Sequence, residues 1–167
     1  MRKIIVLSLV FVFLFAVVAR AEGNIAIFDK QKVAAESDPL KAARASLESK
    51  FGVQRGELEK ERVDLESRGM AFQRITPTEK QAQDFMRQQE IFSEKAQAFM
   101  RLLQADETRI LRDMDMLIDR AAKEFAERKG YVLILDSLVA AYFDPKLDVT
   151  ADMIGAVNAL WKKETGQ

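Results

Sequence analysis

The sequence predicts a mostly α-helical α+β protein: a long antiparallel coiled-coil helical hairpin standing on a small β-sheet body. Three observations predict it. Two long stretches with helix-start signals, Leu40 to about Arg74 and Pro77 to about Lys129, are joined by a tight turn. Apolar residues in both repeat every seven positions. Short β-prone runs flank this region, "NIAIF" at 24–28 before it and "GYVLILDSLVAAYFD" at 130–144 after it.

The elements follow in order. Arg2 and Lys3, the apolar run Ile4 to Val18 and the small-residue site Ala19-Arg20-Ala21 read as a cleavable secretory signal peptide over residues 1–21. The run is shorter than the roughly 20 residues a membrane span needs. The remaining chain carries 23 basic and 26 acidic residues and is expected in an exported compartment. Asn24 to Phe28 is the first strand. Asp38-Pro39 reads as an N-cap followed by proline at the first helical position. Thr76 with Glu79 reads as a capping box around Pro77, and Gly130 as the residue that stops the second helix. At 1.5 Å per residue the two helices are roughly 55 and 75 Å long, so much of the 38–129 arm projects from the body.

One seam of the arm is Phe51, Leu58, Leu65 and Phe72; the other is Ala96, Leu103, Ile110 and Leu117, with Phe92 and Phe99 on an adjacent register. The first seam is thin: its companion positions Gln54, Glu61 and Arg68 are polar. Gly52, Gly56 and Gly69 each weaken that helix by about 1 kcal/mol relative to alanine. The outgoing helix is therefore expected to bend. Met70, Phe85, Met86, Ile91, Met100 and Leu102 fall off the seam, mostly toward the far end. Register drift would return some of them to it; otherwise they form an adaptable apolar lining, a role that suits methionine. Arg74 and Arg87 add to a slightly basic tip.

The body, 22–37 and 130–167, takes the first strand, a hairpin of Tyr131 to Leu135 and Val139 to Phe143, and a last helix. That helix is capped by Thr150 and carries the stripe Ile154, Val157, Leu160 and Trp161. Three short strands apolar on both faces exceed the cover one chain offers. Ile25, Ile27, Val132, Ile134, Val139, Ala141 and Phe143 are thus expected to join the sheets of several subunits into a closed β-barrel.

Composition narrows the chemistry. The chain has no cysteine and no histidine, which removes thiolate chemistry and the commonest general base. Asp113 and Asp115 do not share a helix face. Asp136, Asp144 and Asp148 read as turn and cap residues. No enzyme activity, cofactor or metal is expected. The arm from 38 to 129 carries 18 residues of each sign, which argues against a basic membrane-surface helix. A passive coiled-coil scaffold of the cell envelope is the alternative, but it would want a rigid, fully apolar seam.

"NIAIFDKQKVAAES", the charged hairpin, "KGYVLILD", "AAYFD" and "DVTADMIGAVN" occur in that order, and each resembles the corresponding segment of the Skp/OmpH family of periplasmic chaperones. The resemblance implies a homotrimer whose β-barrel body carries three arms around a cavity. It implies an ATP-independent holdase that binds unfolded outer-membrane proteins and delivers them for membrane insertion. On that reading Met70, Phe72, Phe85, Met86, Phe92, Met100, Arg74 and Arg87 bind the client. No nucleic-acid partner is expected. The family's basic lipopolysaccharide-binding clusters are not matched, since "KAQAFMRLLQADE" carries only Lys95 and Arg101, and contact with lipopolysaccharide or a membrane surface is not predicted.

Overall fold

A computed structural model describes residues 24–166 of the chain, and the expected signal peptide lies outside them. β1 (Asn24–Phe28) is followed by a short helix absent from the sequence expectations, α1 (Lys30–Glu36). The Asp29 carboxylate caps α1 by accepting the Lys32 N–H at 2.8 Å, the usual service of a short acidic side chain at a helix start. Lys30 ties α1 to the arm through Asp119 at 2.9 Å and Asp115. Burial works against the Lys30 ammonium, but hydrogen bonds to Asp115 and then Asp119 outweigh it and hold its pKa above the ordinary lysine value.

Ser37 separates α1 from α2 (Asp38–Arg74). The cap is Ser37, in extended backbone at ψ 150°, and not Asp38, which already belongs to the first turn. The Ser37 hydroxyl donates to the Ala34 carbonyl at 3.0 Å, and its oxygen accepts no N–H from the first turn of α2. The orphan N–H of Asp38 is instead satisfied by Asn158 Oδ1 at 2.8 Å, from far along the chain.

At the tip the capping box is Thr78 with Gln81, and not Thr76 with Glu79. Gln81 N–H donates to Thr78 Oγ1 at 3.3 Å and Thr78 N–H to Gln81 Oε1 at 2.9 Å. α3 (Glu79–Lys129) starts two residues later than that box requires, with Thr78 in extended backbone at ψ 156° as its cap. α3 ends at Gly130, whose φ of 74° is left-handed.

The two long helices pack antiparallel. Phe51 meets Phe99 edge-on at 5.7 Å, and Phe72 meets Phe85 edge-on at 5.3 Å. Phe85, expected off the seam, therefore lies in it, since a straight helix drifts against a seven-residue repeat. Lys95 reaches Glu61 at 3.0 Å, Lys50 pairs with Asp106, and Arg68 donates to Gln88, all across the hairpin. Within α2, Arg68 also pairs with Asp64, four residues earlier, at 3.4 Å. Beyond its root, α2 buries only Phe51 and Leu65, in keeping with its thin seam.

In the body, β1 pairs in parallel with β2 (Tyr131–Asp136), aligning Ala26 with Ile134 and Phe28 with Asp136. Parallel neighbours need a long crossover, and here the whole arm supplies it. On the other side of β1, Val149 N–H donates to the Ile27 carbonyl at 2.9 Å. The strand expected at Val139–Phe143 does not form. Asp136 Oδ1 accepts the Leu138 N–H at 3.1 Å and Ala140 N–H turns back to the Ser137 carbonyl at 3.2 Å. These bonds curl the chain into a tight turn and take donors from the first rungs of a hairpin.

α4 (Thr150–Thr165) closes the core. Met153, Val157 and Leu160 pack with Met114, Leu117, Ile118, Ala121 and Phe125 of α3 and with Ala26 and Phe28 of β1. Ile154 and Trp161 pack against this cluster at its edge. Thr150, expected to cap α4, is its first residue. Its hydroxyl accepts the Asp29 N–H at 2.9 Å, while Asp148 Oδ1 accepts the Thr150 N–H at 2.8 Å. Bonding to the Thr150 side chain, then to its amide, holds the Asp148 pKa below the ordinary carboxylate value. The folded-state pKa is depressed, so the stabilisation is complete above the unfolded pKa of about 4 and is lost as pH falls through the lower folded value. Asp148→Ala is expected to cost about 1 kcal/mol at pH 7. The difference from the parent should shrink below about pH 4, as checked by urea melts across pH; a gap that widens in acid would refute this assignment.

Candidate functional site

Two surfaces stand out, one along the arm and one on the body. On the arm, Met70, Met86 and Met100 are exposed, as their places off the seam require. Phe72, Phe85 and Phe92 are half-buried between the helices. Arg74 and Arg87 are exposed near the tip, while Arg68 lies over the Phe85 ring, 5.7 Å from its centre. The structure thus splits the candidate binding residues into an outer methionine set and an inner aromatic set.

The two sets meet at one place. Leu65, Phe85 and Phe92 floor an open groove whose rim is Met70, Glu66, Gln73 and Gln89. Gly69 lies in this groove and leaves it unfilled: a Cβ there would touch the Phe85 ring at 3.4 Å. The floor offers apolar contact, and the two glutamines offer both hydrogen-bond donors and acceptors. That combination suits an extended polypeptide with mixed side chains better than a charged small molecule.

Other exposed apolar residues on the arm were not singled out from the sequence: Val53, Val63, Ile75, Leu111 and Met116. The heptad count contains the signal for Val53, Val63, Leu111 and Met116, which fall between the seam positions, whereas Ile75 lies just past the end of α2. Singly exposed apolar residues are normal; it is their number along one projecting hairpin that matters.

On the body, β2 leaves one edge unpaired among the described residues. Val132 is 71% exposed, with Leu133 and Ile25 half-exposed beside it. Leu138, Val139 and Tyr142 follow directly, Tyr142 at 86% exposure. Ala141 is exposed and Phe143 half-buried. Ile27 is already buried within the subunit, and Ile134 packs against its core. The expected joining residues therefore divide: Ile25, Val132, Val139 and Ala141 face outward, and Ile27 and Ile134 serve the chain's own body.

The acidic residues near the strand ends do local work. Asp136, Asp144 and Asp148 accept the N–H groups of Leu138, Lys146 and Thr150. Asp115 is held by Lys30.

The model of the family OmpH, outer membrane protein (OmpH-like), matches residues 24–157. The chaperone protein Skp of Yersinia enterocolitica is 30% identical over 144 residues, covering 81% of this chain and 86% of the relative. A Skp-like protein of Pseudomonas aeruginosa is 26% identical over 150 residues, covering 85% and 88%. A solved structure from Caulobacter crescentus, described as an OmpH-like outer membrane chaperone, has a TM-score of 0.55 at 20% identity, over 84% of this chain and 87% of that one; it shares the fold. The match runs from β1 through the arm into α4, so arm and body both fall within it, and the chain belongs to the Skp/OmpH family of OmpH-like proteins.

Proposed function

We propose that this protein is an ATP-independent holdase chaperone of the periplasm that binds unfolded outer-membrane proteins between flexible arms and passes them on for membrane insertion. Its relatives are chaperones, and the chain is not an enzyme. The observation that carries the reading is the joint exposure of apolar side chains along the arm and on the open edge of the body.

The physics follows from those two surfaces. An unfolded β-barrel protein exposes alternating apolar residues and unpaired strand edges, which drives aggregation. Copies of the chain share their outward strands in a homotrimer, and their arms then surround a cavity. Each arm contact is weak, but the others act at high effective concentration, so the client is held without a tight site. The thin α2 seam lets the arms adjust to clients of different size. Weak contacts also let the client leave once a membrane buries its apolar face.

The test uses a urea-unfolded outer-membrane barrel protein diluted into buffer. At about one assembly per client, the mature chain should abolish light scattering. Sedimentation should show an assembly of several chains with one client. Unchanged scattering at fivefold excess would refute the proposal and favour a passive scaffold.

A further inference from the structure

We propose that Met70, Met86 and Met100 form a reversible oxidation site on the arm, and that converting their thioethers to sulfoxides releases or weakens the held client. The inference rests on the reading of the arm as the client-holding surface. It starts from an imbalance in the molecule's sulfur. The chain has seven methionines and no cysteine, so no thiol competes for oxidant and the thioethers are its softest nucleophiles.

The fold sorts these sulfurs sharply. Met70, Met86 and Met100 are 53, 68 and 48% exposed, whereas Met114 and Met153 are 6 and 0% exposed. The sorting has a geometric cause. Met86, Met100 and Met114 recur every fourteen residues, four turns of a coiled-coil helix, so they share one face of α3. That face is open along the arm and runs into the body core at Met114. Met70 belongs to the other helix and rims the groove over Leu65, Phe85 and Phe92. Three of the exposed sulfurs are thus on the surface assigned to the client, Met116 is exposed nearer the root, and Met114 and Met153, which hold the body together, are shielded.

The chemistry needs one co-reactant, a hydroperoxide. The thioether sulfur attacks the terminal peroxide oxygen; the S–O bond forms and the O–O bond breaks. The bonding pair leaves on the second oxygen, which takes up the proton and departs as an alcohol, or as water from hydrogen peroxide. Sulfur loses two electrons and the peroxide gains two. The product replaces a flexible apolar contact by a polar, chiral one. An apolar client segment then meets a sulfoxide dipole at each of these positions, and the loss is repeated on every arm.

The experiment treats the assembled protein with hydrogen peroxide, maps the sulfoxides by peptide mass, and measures affinity for a fluorescent, urea-unfolded outer-membrane barrel protein. Met70, Met86 and Met100 should oxidise well before Met114 and Met153, and affinity should fall about tenfold. Methionine sulfoxide reductases with a dithiol should restore it. A Met70→Leu/Met86→Leu/Met100→Leu variant, compared with itself before peroxide, should not change. A Met116→Leu variant, which lacks an equally exposed sulfur on the root-side stretch of α3, should stay sensitive. Undiminished affinity after oxidation of the three, or equal sensitivity of the triple variant, overturns the proposal alone. An untreated protein that holds no client overturns this proposal and the holdase reading together.

Discussion

Phe125→Ala is expected to lower the stability of the body by about 3–5 kcal/mol, the range for an aromatic ring removed from a packed core. Phe125 is 2% exposed and lies in the last turns of α3. Its ring stacks on Tyr131 at 5.8 Å, so it joins the returning helix to the first residue of β2. Val157, Met153 and Leu160 approach from α4 in the same cluster. Trp161, the single tryptophan, packs against this cluster and reports its loss. Urea melts followed by tryptophan fluorescence, at matched protein concentration because the proposed assembly would add to stability, should show the drop. Should the alanine variant fail to fold, Phe125→Leu should melt early but cooperatively. A shift of less than about 1 kcal/mol for alanine would mean that the ring is not part of the core.

On the proposed homotrimer, Val132→Asp is expected to leave the single subunit folded and to abolish assembly. The side chain is mostly in solvent within one chain, so the subunit loses little; surface changes of this kind are usually within about 0.5 kcal/mol. In an assembly whose sheets join at β2, the same carboxylate is buried beside copies of itself and against apolar neighbours. An unpaired buried charge costs several kcal/mol, and symmetry repeats it at every interface. Sedimentation should report the mass of one chain, circular dichroism should report helix content like the parent's, and client affinity should fall by a factor of roughly a hundred as avidity is lost. Retention of the parent's assembled mass would refute the assignment of this edge.

Much of the arm was legible because its signals are local. Pro39, Pro77 and Gly130 mark helix ends by what their backbones permit, and the seven-residue repeat shows which side of each helix is apolar. The errors lie where two local options compete. Thr76/Glu79 and Thr78/Gln81 both satisfy the capping-box pattern, Pro77 is compatible with either, and only the bonds formed separate them. Phe85 moved into the seam because it meets Phe72, a partner set by hairpin register and not by its own spacing. The Val139–Phe143 run has strand propensity, but within one chain the side chain of Asp136 settles its start as a turn. α1 was hidden because Asp29 reads equally well as the end of a strand. The exposed methionines were readable from heptad position alone; the groove at Gly69 was not, since it needs both helices.

Asp29 and Thr150 touch across 121 positions, and β1 finds its partner only beyond the whole arm. β1 must therefore stay unpaired until the chain beyond residue 130 can return to it. Long-range pairing of this kind is slow because distant ends must be brought together. A helical hairpin that zips from its own turn removes that delay, for it delivers residue 131 back to the vicinity of residue 24. The arm thus acts, during folding, as a ruler that brings its own two ends home.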